Sequence, residues 1–187
     1  MGSVAVVQGQ PVVAGAAQGE ALAADAPLSF WGGFDPETGI IIDRRHPLSG
    51  HLATRRVLVV PSGRGSCSGS GVLLEAIHNG TAPAAIITSR LDPVIGLGCV
   101  LGDELYDCHP PMVVISERDR QSIETGDLME VNEQGLITVT KALSYGQRDR
   151  TVLGVSTQQR DAQECREREK VSSKFAVQAV ESCRPED

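Results

Sequence analysis

The run Val57-Leu58-Val59-Val60, followed at once by Pro61-Ser62-Gly63-Arg64-Gly65-Ser66-Cys67-Ser68-Gly69-Ser70-Gly71, constrains this chain more than any other feature. Four apolar residues that end in turn chemistry read as a buried strand. Beyond the glycines, Val72, Leu73, Ala76 and Ile77 recur at helical spacing, and Asn79-Gly80 stops that helix. The alternation continues downstream. Ala84-Ala85-Ile86-Ile87-Thr88 reads as a strand, Asp92-Pro93 opens a helix running to about Leu105, and Met112 to Ile115 reads as another buried strand. Strand, glycine loop, helix, strand, helix, strand is the order of an α/β core.

The flanks are less regular. Val4 to Val7 and Pro11 to Ala14 predict two short strands in a hairpin-like opening about Gly9-Gln10. Ile40 to Asp43 predicts a β-branched strand, and Ile137 to Val139 the last strand. From about Ser144 the chain turns polar, and Gln158 to Lys170 is dense in Arg and Glu with no apolar stripe. Residues 1–143 are therefore expected to form the domain, with 144–187 a charged, poorly packed tail.

Composition narrows the functional classes. With 187 residues the chain can bury a core without staples, and at 3% aromatics that core must be aliphatic. A net charge of −7 argues against nucleic-acid binding, which needs a positive surface. No apolar run is long enough to span a membrane. Residues 1–24 are small and apolar, but Gln8, Gln10 and Gln18 interrupt them and no basic stretch precedes them, so a cleaved signal is not expected. Cys67, Cys99, Cys108, Cys165 and Cys183 are odd in number and irregular in spacing, so neither a disulfide framework nor a metal pair is expected. A reducing, cytoplasmic setting is the expectation.

The glycine loop is the first candidate for chemistry. Backbone N–H groups at a helix start, with the positive end of the helix, bind anions and stabilise a deprotonated hydroxyl. A nucleotide cradle fits badly, because no Gly-Lys-Ser/Thr follows and the glycine spacing departs from the dinucleotide fingerprint. Gly65-Ser66-Cys67-Ser68-Gly69 also has the form of a nucleophile elbow with Cys67 at its tip, which would need one of His46, His51, His78 or His109 nearby. Alternatively Ser66 serves as a general base or acid on a carboxylate substrate, with Arg64 as its charge partner, or the loop simply joins strand to helix. A second candidate is Trp31-Gly32-Gly33 with Arg44, Arg45 and His46. Arginines suit bidentate carboxylate recognition, while the plain reading is an aromatic lid and a solvated basic turn.

Five ordered motifs decide among these by resemblance. They are Pro27-Leu28-Ser29-Phe30-Trp31-Gly32-Gly33, Asp35-Pro36-Glu37-Thr38-Gly39, Ile42-Asp43-Arg44-Arg45-His46-Pro47-Leu48-Ser49-Gly50, Pro61-Ser62-Gly63-Arg64-Gly65-Ser66 and Asn79-Gly80-Thr81-Ala82-Pro83-Ala84-Ala85. Together they resemble the aconitase X small-subunit (swivel) family over about residues 5–140. The resemblance implies a swivelling β/β/α domain that closes on a larger partner, as a separate subunit or a fused domain, and removes water from a hydroxy acid. It implies that Ser66 is the base taking the α-proton, with Arg64, Gly65, Cys67 and Ser68 around the substrate. Trp31, Gly32, Gly33, Arg44, Arg45 and His46 are expected to touch substrate or partner. No metal ligand is expected in this chain; an iron or iron–sulfur centre on the partner would act as Lewis acid. The glycine-loop form is closer to the cis-3-hydroxy-L-proline type than to the phosphomevalonate type. A small-anion binding module without chemistry is the remaining alternative.

Overall fold

A computed structural model describes residues 3–142, and the expected tail at 144–187 lies outside the described residues. The strands are β1 (Val4–Gln8), β2 (Gln10–Val13), β3 (Ala17–Ala23), β4 (Val57–Val60), β5 (Ala85–Thr88), β6 (Met112–Val114), β7 (Leu128–Val131) and β8 (Leu136–Thr140). Helices α1 (Ser68–Asn79) and α2 (Pro93–Tyr106) follow β4 and β5, and the short α3 (Glu117–Gln121) follows β6. The strands form one mixed sheet in the order β1-β8-β7-β3-β4-β5-β6-β2. Its centre, β3 to β6, is parallel, and the remaining pairings are antiparallel.

Side-chain alternation separates two apolar clusters. Leu58 and Val60 pack with Leu22, Ile86, Leu73 and Ile95 on the helix side. Val57 and Val59 pack on the other side with Val7, Met129, Val131, Ile137 and Val139. Strands remote in the sheet order thus share one core, which requires the sheet to curl back on itself. β4 is buried along its whole length because both its faces are covered.

The curl explains why the expected opening hairpin does not form. β1 pairs with β8 and β2 with β6, at opposite ends of the strand order, although only Gly9 separates them in the chain. One residue cannot close a hairpin, so the chain steps from one edge to the other. A Cβ at Gly9 would lie 2.4 Å from Val113 Cγ1. The strand expected at Ile40 to Asp43 is likewise absent as a sheet member; Ile41 and Ile40 make only isolated bridges to Phe34 and Leu52. Conversely, β3, β7 and α3 have no counterpart among the sequence expectations. β3 reads as mixed Ala, Gln, Gly and Glu, and its place at the centre of the sheet comes from its neighbours.

α1 and α2 lie side by side against the helix-side core. Gly98 is the point of closest approach, since a Cβ there would be 3.0 Å from Leu73 Cδ2. Asp92 caps α2, and Gly80 ends α1 in the left-handed conformation, as their sequence positions predict. No helix among the described residues is long and apolar enough to cross a membrane.

Candidate active site

Parallel strands deliver their carboxyl ends to one edge of the sheet, where ligands of open α/β sheets are commonly found. β3 leads there into segment 24–56, β4 into loop 61–67, and β5 into the turn 89–92. The three are tied together by backbone. Leu28 N–H donates to Ser62 O (3.2 Å) and Arg64 N–H to Leu28 O (3.0 Å), which prolongs the β3–β4 pairing beyond both strands. Ser89 and Arg90 both donate N–H to Pro61 O.

Ser66 stands at the junction of β4 and α1, exposed to solvent. Its Oγ accepts the N–H of Ser68 (3.2 Å) and lies 3.1 Å from Ser68 Oγ. The hydroxyl thus accepts the first backbone N–H of α1, while the side chain of Cys67, the residue before the helix, makes no capping bond. A negative charge on Ser66 Oγ would meet a backbone N–H, a hydroxyl donor and the positive end of a 12-residue helix. Gly65 arrives with φ +102°.

Arg64 is half exposed, and its guanidinium donates to Asp43 Oδ2 at 2.5 Å. Asp43 Oδ1 accepts the N–H of Arg45. Its carboxyl is held below the ordinary range, chiefly by that N–H, with burial opposing and Arg64 assisting. The expected charge partner of Ser66 is thus fastened to the Asp43-Arg44-Arg45 motif. In the sequence Asp43 stands out only as part of that motif.

The other expected contacts divide. Trp31 is 62% exposed, and Arg44, Arg45 and Gly32 are also at the surface. Phe30, which packs on Phe34 at 5.2 Å between ring centroids, holds the Trp31 turn near the first turn of α1. His46 differs from these. It is buried, Leu48 N–H donates to its Nδ1 (3.2 Å), and Nε2 therefore carries the proton, donated to Ala26 O (3.0 Å). Both ring nitrogens are used inside the segment, which leaves none for substrate.

The remaining histidines are also engaged away from Cys67. His109 sits between Asp103 and Ala14 O, His78 stacks on Tyr106 near the far end of α1, and His51 faces Ser49 O. Cys67 is an exposed free thiol to which no imidazole is bonded, so the hydrolase reading lacks its base. Among the described residues no group of three His, Cys, Asp or Glu side chains is placed to hold a metal.

Beside the loop lies a small pocket lined by Leu28, Phe30, Gly63, Arg64, Gly65, Gly69, Asp92, Val94 and Ile95. Ser66 directly follows one of these lining residues. Asp92 is the residue that sequence reasoning missed. Its Asp-Pro signal marks a helix start and gives no hint that the carboxylate also reaches the pocket.

Comparison with known proteins identifies the family. The sequence profile of the aconitase X swivel domain matches residues 6–139. The chain is 42% identical over 132 residues to cis-3-hydroxy-L-proline dehydratase of Hypocrea jecorina, covering 71% of this chain and 22% of that protein. It is 50% identical over 107 residues to the Pseudomonas aeruginosa protein of the same name, covering 57% and 18%. It spans about a fifth of the length of these two relatives. Identity to the phosphomevalonate dehydratase small subunit of Methanopyrus kandleri is 41%, over 73% of this chain and 99% of that subunit. The crystal structure of holo aconitase X from Thermococcus kodakaraensis is similar with a TM-score of 0.66 and 32% identity, covering 73% of this chain and 99% of that one.

Proposed function

Because this chain belongs to the aconitase X swivel-domain family, we propose that it is the small, swivelling component of a hydro-lyase acting on cis-3-hydroxy-L-proline. The product would be 1-pyrroline-2-carboxylate. The observation that carries the reading is Ser66 Oγ, exposed at the start of α1 and already hydrogen-bonded by Ser68. An alcohol is a weak base unless its alkoxide is stabilised, and donors preorganised about the oxygen are the most effective means. The Ser68 N–H, the Ser68 hydroxyl and the helix end fill that role here. Ser66 would take the α-proton, while Arg64, steadied by Asp43, holds the substrate carboxylate. Gly65, Cys67 and Ser68 shape the loop around it, and Trp31, Arg44 and Arg45 face the large partner.

The iron or iron–sulfur centre that would act as Lewis acid on the leaving hydroxyl is taken to lie on the large partner. Without the partner this chain would be inactive. The proline-type substrate is supported by the names of the relatives at 42% and 50% identity. A phosphomevalonate dehydratase small subunit is the second reading, favoured by the near full-length coverage of the Methanopyrus protein.

Steady-state kinetics of the chain reconstituted with its large partner test the reading. The assembly should turn over cis-3-hydroxy-L-proline, and Ser66→Ala should slow it by about 10²–10⁴-fold, the usual loss for a positioned general base. Cys67→Ser should stay within about threefold, because its thiol makes no capping bond. Turnover that survives Ser66→Ala and fails with Cys67→Ser would reject the dehydratase mechanism.

A further inference from the structure

We propose that Asp92 is the subsite for the ammonium nitrogen of the substrate, which makes the pocket selective for a compact α-amino acid. Asp92 is 9% exposed. Its Oδ1 is fully used, accepting the N–H groups of Val94 and Ile95 at 3.0 Å each. Among the described residues no hydrogen bond or ion pair reaches Oδ2. Among the described residues no buried side-chain nitrogen or oxygen lacks a partner, so Oδ2 is open to the pocket that Asp92 lines. Gly63 makes this placement feasible, since a Cβ there would fall 2.6 Å from Asp92 Oδ2.

The surroundings specify what Oδ2 can take. The neighbouring walls are apolar, formed by Leu28, Phe30 and Ile95. A carboxylate oxygen among apolar side chains gains most from a charged N–H donor, since leaving it unpaired costs desolvation without return. Among the described residues the one cation lining the pocket is Arg64, which is paired with Asp43. The pocket thus carries an anion at its inner end and a guanidinium at its rim. That polarity matches an α-amino acid, with its ammonium inside on Asp92 and its carboxylate outside near Arg64 and Ser66. A phosphate group would be repelled at the same place. The inference deepens the dehydratase reading and rests on it for the reaction, but the binding site is built by this chain alone.

The test uses the full chain with L-proline and cyclopentanecarboxylate, two rings of similar shape that differ in the ammonium. Amide NMR shifts of Gly63, Gly65, Val94 and Ile95 should respond to millimolar L-proline, with cyclopentanecarboxylate at least tenfold weaker. Asp92→Asn retains a capping oxygen for α2 and should abolish the preference; an unchanged melting temperature shows that the cap survives. Equal response to the two ligands, no response to either, or undiminished L-proline binding by Asp92→Asn would each overturn the proposal. The ligand pair on the unmutated chain decides even if the variant fails to fold. Should the pocket bind L-proline through Asp92 while the reconstituted assembly fails to dehydrate cis-3-hydroxy-L-proline, the dehydratase reading falls and this subsite stands.

Discussion

Between Arg64 and Ser68 every residue is exposed, whereas segment 24–56, which faces that loop across the Leu28–Gly63 bridge, is packed like a small core. Leu28, Phe30, Phe34, Ile41, Leu48 and Ala53 are all nearly or fully buried there, although the segment contributes no strand to the sheet. Its turns are fastened to the helix layer: Thr81 Oγ1 and Asn79 Nδ2 both donate to Pro36 O. Its entry is pinned by the buried Arg120, which donates to Ala24 O and Asp25 and grips Glu117 with two nitrogens. The hydroxyl proposed as the base therefore stands on exposed chain, and the segment that faces it is held by close packing. Placing chemistry on loops that a rigid scaffold holds is a general arrangement.

If that division is right, stability should be sensitive on one side of the bridge and indifferent on the other. The largest loss is expected for His46→Ala. Ala26 O and Leu48 N–H would lose their partner, and two such groups left unpaired cost about 2–6 kcal/mol, readable by urea unfolding. Wild-type stability in that variant would mean that His46 is not a strut and would reopen it as a site residue.

A smaller effect should appear with acid. Glu117 is brought down from 4.5 to about 2, first by its hydrogen bond with Arg120 and next by one with Ser89. A carboxyl whose folded value is depressed contributes stability that is complete above its unfolded value and is lost as pH falls toward the folded one. Stability should therefore decline between about pH 4.5 and 2. Glu117→Gln should flatten that limb, and an unchanged acid limb would show that this anchor contributes little.

Arg64→Ala separates the two regions more finely. Its ion pair with Asp43 is half exposed, and such pairs contribute about 0–1 kcal/mol to stability. Turnover in the reconstituted assembly should nevertheless fall about 10- to 100-fold, the worth of a charge-assisted hydrogen bond of about 1.5–3 kcal/mol. Loss of stability without loss of turnover would make Arg64 a structural tie. The smallest effect on stability is expected for Ser66→Ala, within about 0.5 kcal/mol, as for other surface substitutions. A larger drop in urea unfolding would show that Ser66 holds the loop as well as acting from it.

The parallel half of the protein was legible because its signals are local. β4, β5, β6, α1 and α2 each carry an apolar run or helical period, and Asp-Pro, Asn-Gly, Pro-Pro or a glycine cluster punctuates them. Those signals alone put Ser66 at a strand-to-helix junction, and the five motifs alone pointed to the family. Tertiary structure decided the rest. β3 lacks an apolar run because its status depends on β4 and β7 beside it. β1 and β2 separate because a curled sheet offers each a different edge, which no local pattern encodes. His46 and Asp43 find their partners Ala26 and Arg64 about 20 residues away, and Asp92 lies against Gly63 of the neighbouring loop. Sequence periodicity reports which face of an element is apolar; the partner a polar side chain finds depends on which loops the fold brings together.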